Sequence, residues 1–393
     1  MGTIKYVKAF DGLRGIAVMM LLLYHFPGKY ITIRHGWEFM QMFFVMSGYL
    51  ISLTLLEDSK KYAFRKYAVH FYIKRALRLF PLYFLFILVC SVVYLLFPGV
   101  PDIQKTFGNV YQHLVYLLTF TFNYMQLINN ALGKDYTVTF MCGHLWTISI
   151  EEQFYLVFPF IFFFLSIKNI KKIMIAAIII APIFRVLFFM YLRHLNPGDI
   201  AWASLNLSRI PFCQMDSLAL GAALAVFNTD WIKNPGRWWV IIFVLIIAAY
   251  AGNLYYVYFV QGLDYYKVTY GLKFTEKWIT HNYLFAYIIS MVNIWCVLTI
   301  LCIRRNMRYI RFLEFKPLVF LGKLSYGIYL LHLPMMPFLI VGSYLLLGGK
   351  QYHPYILYEA TLFLVFVSII VGTCYLSFTY FESYFLRLKK KLH

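Results

Sequence analysis

The stretch FDGLRGIAVMMLLLYHF, residues 10–26, is an apolar run that also carries three ionisable side chains. A helix that crosses a bilayer needs about 20 predominantly apolar residues, and the run approaches that length. Ionisable groups inside such a helix face a cavity or a partner group rather than lipid. Asp11, Arg14 and His25 therefore predict a membrane helix that lines a polar interior.

The rest of the chain has the same apolar character. Of 393 residues, 62% are hydrophobic and 13% are charged, whereas soluble domains carry about 25% charged residues. The apolar runs are continuous rather than alternating, which excludes a transmembrane barrel. We predict an all-α polytopic bundle in the lipid bilayer, with one domain over residues 1–393. The ten predicted spans are 9–28, 38–56, 77–97, 146–166, 173–192, 210–228, 238–256, 283–303, 318–341 and 355–381.

The basic residues indicate the orientation of these spans. The formal net charge of +20 would suggest a nucleic-acid partner in a soluble protein. Here, however, Lys and Arg cluster in short gaps between apolar runs, as the positive-inside rule describes, so no nucleic-acid partner is expected. The bias places both termini in the cytoplasm only if the short stretch at 111–124 does not cross the membrane. That stretch is therefore predicted to be re-entrant or interfacial.

The cysteine and histidine residues show no metal-binding pattern. Six cysteines are scattered along the chain without a CxxC pair or a Cys/His cluster. This spacing predicts neither a metal site nor a disulfide framework.

The first helix places two ionisable groups on one face. Arg14 and His25 are eleven residues apart, which is three helical turns plus about 20° and about 16 Å along the axis. Asp11 is close enough to Arg14 for a local ion pair. Snorkelling accounts for Arg14 alone. His25 is either a hydrogen-bonded packing residue or a neutral imidazole that serves as a general base.

A second group of polar side chains lies at the start of the fourth span, in GHLWTISIEEQFYLVFP, residues 143–159. The spacing of Ser149 and Glu152 matches a capping box at the start of a helix. A cap does not account for the neighbouring His144, Trp146 and Glu151. The alternative is that one glutamate orients the imidazole of the first helix or contacts an acceptor hydroxyl.

Two further arginine motifs have both structural and functional interpretations. Arg75 and Arg78 lie three residues apart on one helical face. Taken singly, each arginine suits anchoring at the cytoplasmic membrane surface. Two arginines on one face together suit recognition of a phosphate group. Arg209 and Asp216 are two turns apart and are predicted to form a structural ion pair, followed by close helix packing at Gly221.

The ninth span contains LGKLSYGIYLLHLPM, residues 321–335. Ser325 and His332 are seven residues apart and share a helical face. Either can hydrogen-bond to a neighbouring helix. The motif contains no acidic residue to complete a Ser/His/Asp triad.

Six segments, in order, resemble the acyltransferase-3 family of bacterial integral-membrane O-acyltransferases. The segments are FDGLRGIAVMMLLLYH (10–25), FFVMSGYLIS (43–52), RALRLFPLYF (75–84), HLWTISIEEQFYL (144–156), MDSLALGAALA (215–225) and LSYGIYLLHLP (324–334). The resemblance implies a multi-pass enzyme of the bacterial cytoplasmic (inner) membrane. Its expected reaction moves an acyl group, most simply acetyl, from cytoplasmic acyl-CoA to a hydroxyl of an extracytoplasmic or lipid-linked glycan such as an exopolysaccharide.

The resemblance also implies roles for individual residues. Arg14 and His25 would be the essential pair, with His25 nearest the chemistry. Arg75 and Arg78, together with Arg14, would hold the acetyl-CoA donor. Glu151 and Glu152 match the family's acidic pair and are expected to be catalytic. Beyond the resemblance, we also expect a set of residues to bind the acceptor: Asp11, His144, Trp146, Ser325 and Tyr326.

The resemblance leaves two questions open. No hydrolase-like domain and no Gly-x-Ser-x-Gly motif is found in the sequence. Transfer is therefore expected to finish within the membrane domain or to pass to a partner. The alternative function is a transporter or flippase for a glycan or a small anion, because buried charges also mark substrate pathways. The absence of an inverted sequence repeat counts against that alternative.

Overall fold

The structure is a computed structural model that describes residues 6–28, 30–31, 36, 38–131, 141–196, 200–255, 259, 284–346 and 356–390. Its α-helices, in chain order, are α1 (Lys8–His25), α2 (Glu38–Asp58), α3 (Phe64–Leu96), α4 (Pro101–Gln112), α5 (Leu114–Leu118), α6 (Met125–Ala131), α7 (Trp146–Phe164), α8 (Ile167–Leu195), α9 (Ile200–Arg209), α10 (Pro211–Val226), α11 (Pro235–Tyr255), α12 (Leu284–Arg304), α13 (Lys316–Leu346), α14 (Ile356–Leu376) and α15 (Ser383–Lys390). The described residues contain no strand, which confirms the predicted all-α class.

Eight helical segments within the described residues are long and apolar enough to cross a membrane. The remaining two predicted spans, 9–28 and 210–228, are helical as well. Helix α1 has 18 residues and carries Lys8, Asp11 and Arg14, while α10 has only 16 residues. The chain is thus a polytopic helical bundle. The cytoplasmic location of the termini stays a prediction.

Helix α3 is longer than its predicted span. It begins at Phe64 rather than at residue 77 and runs for 33 residues. Lys and Arg are good helix formers, so the basic residues before the apolar run continue the helix instead of ending it. Arg75 and Arg78 are therefore held within a continuous helix.

The stretch at 111–124 does not form one spanning helix. It contains the end of α4, the five-residue α5 and a 3₁₀ turn, Phe122–Tyr124. Phe120, just after α5, has φ of 52°, a conformation that a bulky side chain rarely adopts and that a helix cannot include. Its ring stacks against Phe80 and Tyr83 of α3. These breaks confirm that the stretch is not a transmembrane helix.

The chain divides into two compact units. Unit 1 contains residues 1–10, 34–57 and 160–315, and unit 2 contains residues 11–33, 58–159 and 316–393. In unit 1, α10 packs against α8 and α12, and α11 packs against α12. Gly48 of α2 and Gly221 of α10 allow these two backbones to touch, because a Cβ at either position would lie 2.2 Å or less from a carbonyl oxygen of the other helix. The predicted close packing at Gly221 is confirmed.

The predicted ion pair between Arg209 and Asp216 is wrong. Asp216 instead forms a two-point pair with Arg185 of α8, with N–O distances of 2.8 and 3.0 Å, and both side chains are fully buried. Arg185 also donates to the Cys213 carbonyl and to the Ser290 hydroxyl. The pair therefore joins α8, α10 and α12. The packing of the helices determines which residue of another helix pairs with Asp216. Residue spacing along one helix does not predict that packing.

Replacing Arg185 with Met should destabilise unit 1 by about 3–5 kcal/mol, because it leaves the Asp216 carboxylate buried without its counter-charge. The measurement is an unfolding titration of the purified protein in mixed micelles. Lys172→Met, at an exposed position of the same helix, is the control. Equal stability of the two variants would contradict the structural role assigned to the pair.

In unit 2, helices α1 and α13 make direct backbone contact. A Cβ on Gly15 would lie 2.1 Å from the Leu318 carbonyl oxygen, and one on Gly322 would lie 1.7 Å from the Asp11 carbonyl oxygen. Only glycine fits at both positions. Ten residues beyond each glycine, His25 meets His332. The two helices therefore run in the same direction, and the glycine contact sets their register.

Candidate functional site

Every residue predicted for the site lies within unit 2. Those residues are Asp11, Arg14, His25, Arg75, Arg78, His144, Trp146, Glu151, Glu152, Ser325 and Tyr326. The Arg185–Asp216 ion pair and the contact between Gly48 and Gly221 lie in unit 1.

Three arginines are brought together by α1 and α3. Arg78 lies within electrostatic range of Arg14 and Arg75. Arg14 is held by Asp11, with an N–O distance of 2.8 Å, which confirms the predicted local ion pair. Arg78 remains exposed and Arg75 half-buried. Arg14 thus has an ion-pair partner, whereas Arg75 and Arg78 form no ion pair among the described residues, and the three guanidinium groups make this region strongly basic.

Arg75 of α3 is positioned by a contact with α7. The guanidinium carbon of Arg75 lies 4.9 Å from the centre of the Tyr155 ring, a cation–π contact. The Tyr155 hydroxyl in turn donates to Glu151, at 2.9 Å. Arg75 also lies within electrostatic range of Glu152. The two predicted glutamates are therefore placed beside the arginine cluster.

The predicted capping box at Ser149 is wrong. Helix α7 begins at Trp146, and a 3₁₀ turn, Gly143–Leu145, leads into it. Ser149 is already inside the helix, where its hydroxyl donates to the Leu145 carbonyl. Glu152 does not cap the helix either. Its Oε1 atom is buried and has no hydrogen-bond partner among the described residues.

Three histidines meet in this unit, one each from α1, α13 and the 3₁₀ turn before α7. The His25 Nδ1 atom lies 3.3 Å from Nε2 of His332 and 3.1 Å from the Leu21 carbonyl oxygen. The ring centres of His144 and His332 are 5.1 Å apart. His332 and His144 are buried, whereas His25 is only half-buried. His25 is thus the imidazole of the group that retains access from outside the protein.

The other side chains predicted to bind the acceptor either form hydrogen bonds with backbone carbonyl groups or are buried. Nε2 of His144 lies 3.1 Å from the Leu330 carbonyl oxygen, and the Tyr326 hydroxyl donates to the Leu79 carbonyl at 2.6 Å. Trp146 and Ser325 are buried. Their predicted contacts with an acceptor stay predictions.

The structure adds residues that the motifs did not assign to the site. Tyr155 stacks on Arg75, and Glu382, which ends a short π-helical segment after α14, lies within electrostatic range of Arg78. The buried Glu359 accepts backbone N–H groups from Tyr30 and Ile31, just after α1. A π-helical segment often occurs at functional sites. The sequence does show that Glu359 and Glu382 are ionisable residues near or within apolar helices. It does not show which residues they contact.

Fold and site together define a multi-pass membrane protein with an imidazole group and a basic cluster in one helical unit. The sequence matches the acyltransferase-3 family, described as an acyltransferase domain, over residues 7–382. The chain belongs to that family, which confirms the resemblance and the expected enzyme class, acyl transfer.

Similar curated proteins are O-acetyltransferases by name. O-acetyltransferase OatA of Staphylococcus aureus (strain NCTC 8325 / PS 47) is 28% identical over 90% of this chain and 54% of its own length. The peptidoglycan O-acetyltransferase OatA of Listeria monocytogenes is 28% identical over 84% of this chain and 50% of its own length. The chain therefore spans about half the length of these relatives. No solved structure matches.

Proposed function

We propose that the protein is a membrane O-acetyltransferase that uses cytoplasmic acetyl-CoA and acylates a hydroxyl of an extracytoplasmic or lipid-linked glycan. The observation that supports this most is the placement of the half-buried His25 in the same unit as the cluster of Arg14, Arg75 and Arg78. The imidazole of His25 suits proton transfer from a hydroxyl, and the arginine cluster suits binding of a polyanionic acyl donor. Family membership and the names of the relatives agree with this reaction.

The arginine cluster would bind the phosphates of the donor. Guanidinium groups form paired, charge-assisted hydrogen bonds with phosphate oxygens. Arg78 is exposed and so able to meet a ligand, while Tyr155 holds the Arg75 side chain in place. The positive charges of Arg14 and Arg75 repel that of Arg78, and a nucleotide phosphate would relieve that repulsion.

His25 would act as the general base. It would take the proton of the acceptor hydroxyl while the oxygen attacks the thioester carbonyl carbon. The C–S bond then breaks, and the thiolate of CoA receives the proton from the imidazolium. The new bond is an ester, and no oxidant or reductant is needed. His25 lies near one end of α1 and Arg14 about 16 Å before it, a separation that an extended pantetheine arm can bridge.

The acceptor is proposed as a class, the surface glycans. Peptidoglycan is the first acceptor to test, because the name of the Listeria relative gives it. Mass spectrometry of surface glycans with and without the gene should show a difference of one acetyl unit. Membranes containing the protein should also hydrolyse or transfer from acetyl-CoA in a manner that depends on Arg14 and His25. Transport of a glycan without acetyl-CoA turnover would support the transporter alternative instead.

Replacing Arg78 with Gln should raise the KM for acetyl-CoA about tenfold to a hundredfold, because a charge-assisted hydrogen bond contributes roughly 1.5–3 kcal/mol. The kcat should change much less, since the arginine binds the donor away from the reacting carbonyl. Arg65→Gln, at an exposed position of the same helix, is the control. An unchanged KM for acetyl-CoA in Arg78→Gln would remove this arginine from the donor site.

A further inference from the structure

We infer that His332 is a positioning residue that holds His25 in the tautomer with its proton on Nδ1 and its lone pair on Nε2. The inference rests on the proposed function, in which His25 is the base, and extends it to a residue on another helix. His332 lies on α13, 307 residues away in the sequence, and touches the His25 ring directly.

The hydrogen bonds of His332 determine which of its nitrogens carries a proton. Its Nδ1 atom lies 2.7 Å from the Tyr329 carbonyl oxygen. A carbonyl oxygen can only accept, so Nδ1 of His332 must be the donor. The ring is fully buried, and no carboxylate pairs with it in the described part of the chain. Burial favours the neutral form, in which the other nitrogen, Nε2, is an acceptor.

The proton of His25 follows from this assignment. Its Nδ1 atom faces two acceptors, the Leu21 carbonyl oxygen at 3.1 Å and Nε2 of His332 at 3.3 Å. A nitrogen between two acceptors is satisfied only as an N–H donor. In a neutral imidazole the other nitrogen then has the lone pair. Nε2 of His25 is therefore the basic atom of the ring.

The same contacts assist the reaction after proton transfer. When Nε2 takes the hydroxyl proton, the positive charge spreads over both nitrogens of His25. The Nδ1–H bond to Nε2 of His332 becomes charge-assisted and hence stronger. His332 remains neutral, and the proton on Nε2 of His25 passes to the leaving thiolate. A histidine thus fills the orienting position that a carboxylate holds in a Ser-His-Asp triad.

The backbone contact between α1 and α13 makes this pairing part of the fold. Gly15 and Gly322 meet at the helix crossing, and each histidine follows its glycine by ten residues. Ten residues of helix rise about 15 Å on both sides. The two rings therefore arrive at the same level.

Two variants of His332 separate an acceptor role from a packing role. His332→Phe keeps a ring of similar size but has no acceptor, whereas His332→Gln places an amide oxygen near the former Nε2 atom. We expect His332→Phe to lower kcat about tenfold to a hundredfold with little change in the KM for acetyl-CoA. His332→Gln should recover most of that loss. His194→Gln, at an exposed position in unit 1, is the control and should match the wild type.

Solid-state ¹⁵N NMR of histidine-labelled protein in bilayers reads the tautomer without any assay of acyl transfer. The His25 signals are assigned by their loss in His25→Gln. We expect a protonated Nδ1 and an unprotonated Nε2 in the wild type and in His332→Gln. In His332→Phe only the Leu21 carbonyl oxygen still faces Nδ1, and we expect a larger fraction of rings with the proton on Nε2. A protonated Nε2 in the neutral wild-type ring would overturn the inference, and so would an unchanged tautomer in His332→Phe, whatever its activity. Because the NMR result does not depend on turnover, failure of the proposed function is seen separately, as absence of acetyl transfer by the wild type.

Discussion

Replacing His25 with Gln should lower acetyl transfer about 10²–10⁴-fold, the usual contribution of a general base. The glutamine keeps a polar side chain of similar length on α1 but cannot take a proton at neutral pH. Binding of acetyl-CoA should persist, because the arginine cluster is unchanged. The measurement is the rate of acetyl transfer by purified protein in proteoliposomes, together with the affinity for acetyl-CoA.

The control for this result is His194→Gln, which makes the same substitution outside the site. Both variants must reach the membrane in normal amounts and unfold like the wild type. Activity of His25→Gln close to that of the control would exclude His25 as the base. Loss of acetyl-CoA binding in His25→Gln would instead place this residue in the donor site.

Contacts within one helix were predictable from the sequence. Asp11 and Arg14 are three residues apart, and helix geometry alone brings them together. His25 was recognisable because an imidazole in an apolar run needs a polar partner. The all-α class follows from the length and continuity of the apolar runs. Each of these inferences depends only on local spacing, which is why the structure agrees with them.

Contacts between helices were not predictable in this way. The spacing of Arg209 and Asp216 suggested a pair, yet Asp216 binds Arg185, 31 residues away. Both His25 and His332 stood out as ionisable groups, but periodicity gives the face of a helix and not its neighbour. The capping motif at Ser149 failed for another reason. A preceding 3₁₀ turn starts the helix three residues earlier, so the serine falls inside it.

Gly322 shows how the site depends on helix packing, and Gly322→Ala should lower activity about a hundredfold. An added Cβ would lie 1.7 Å from the Asp11 carbonyl oxygen, a backbone atom that cannot rotate away. Helix α1 must therefore shift from α13. A displacement of about 1 Å at a reacting group can cost around 10²-fold in rate. Overpacking of this kind also destabilises by about 1–3 kcal/mol.

Gly342→Ala provides the matched control, since it makes the same substitution on the same helix, where an added Cβ meets no described atom within 4 Å. Alanine is the better helix former, so this variant should be as stable as the wild type or slightly more stable. The measurements are unfolding in mixed micelles, acetyl transfer, and the ¹⁵N signals of His25. If Gly322→Ala shifts α1, the His25 tautomer preference should weaken, because Nδ1 moves away from His332 on α13 and keeps only the Leu21 carbonyl oxygen as acceptor. Full activity with an unchanged tautomer would show that the glycine contact does not set the distance between the two histidines.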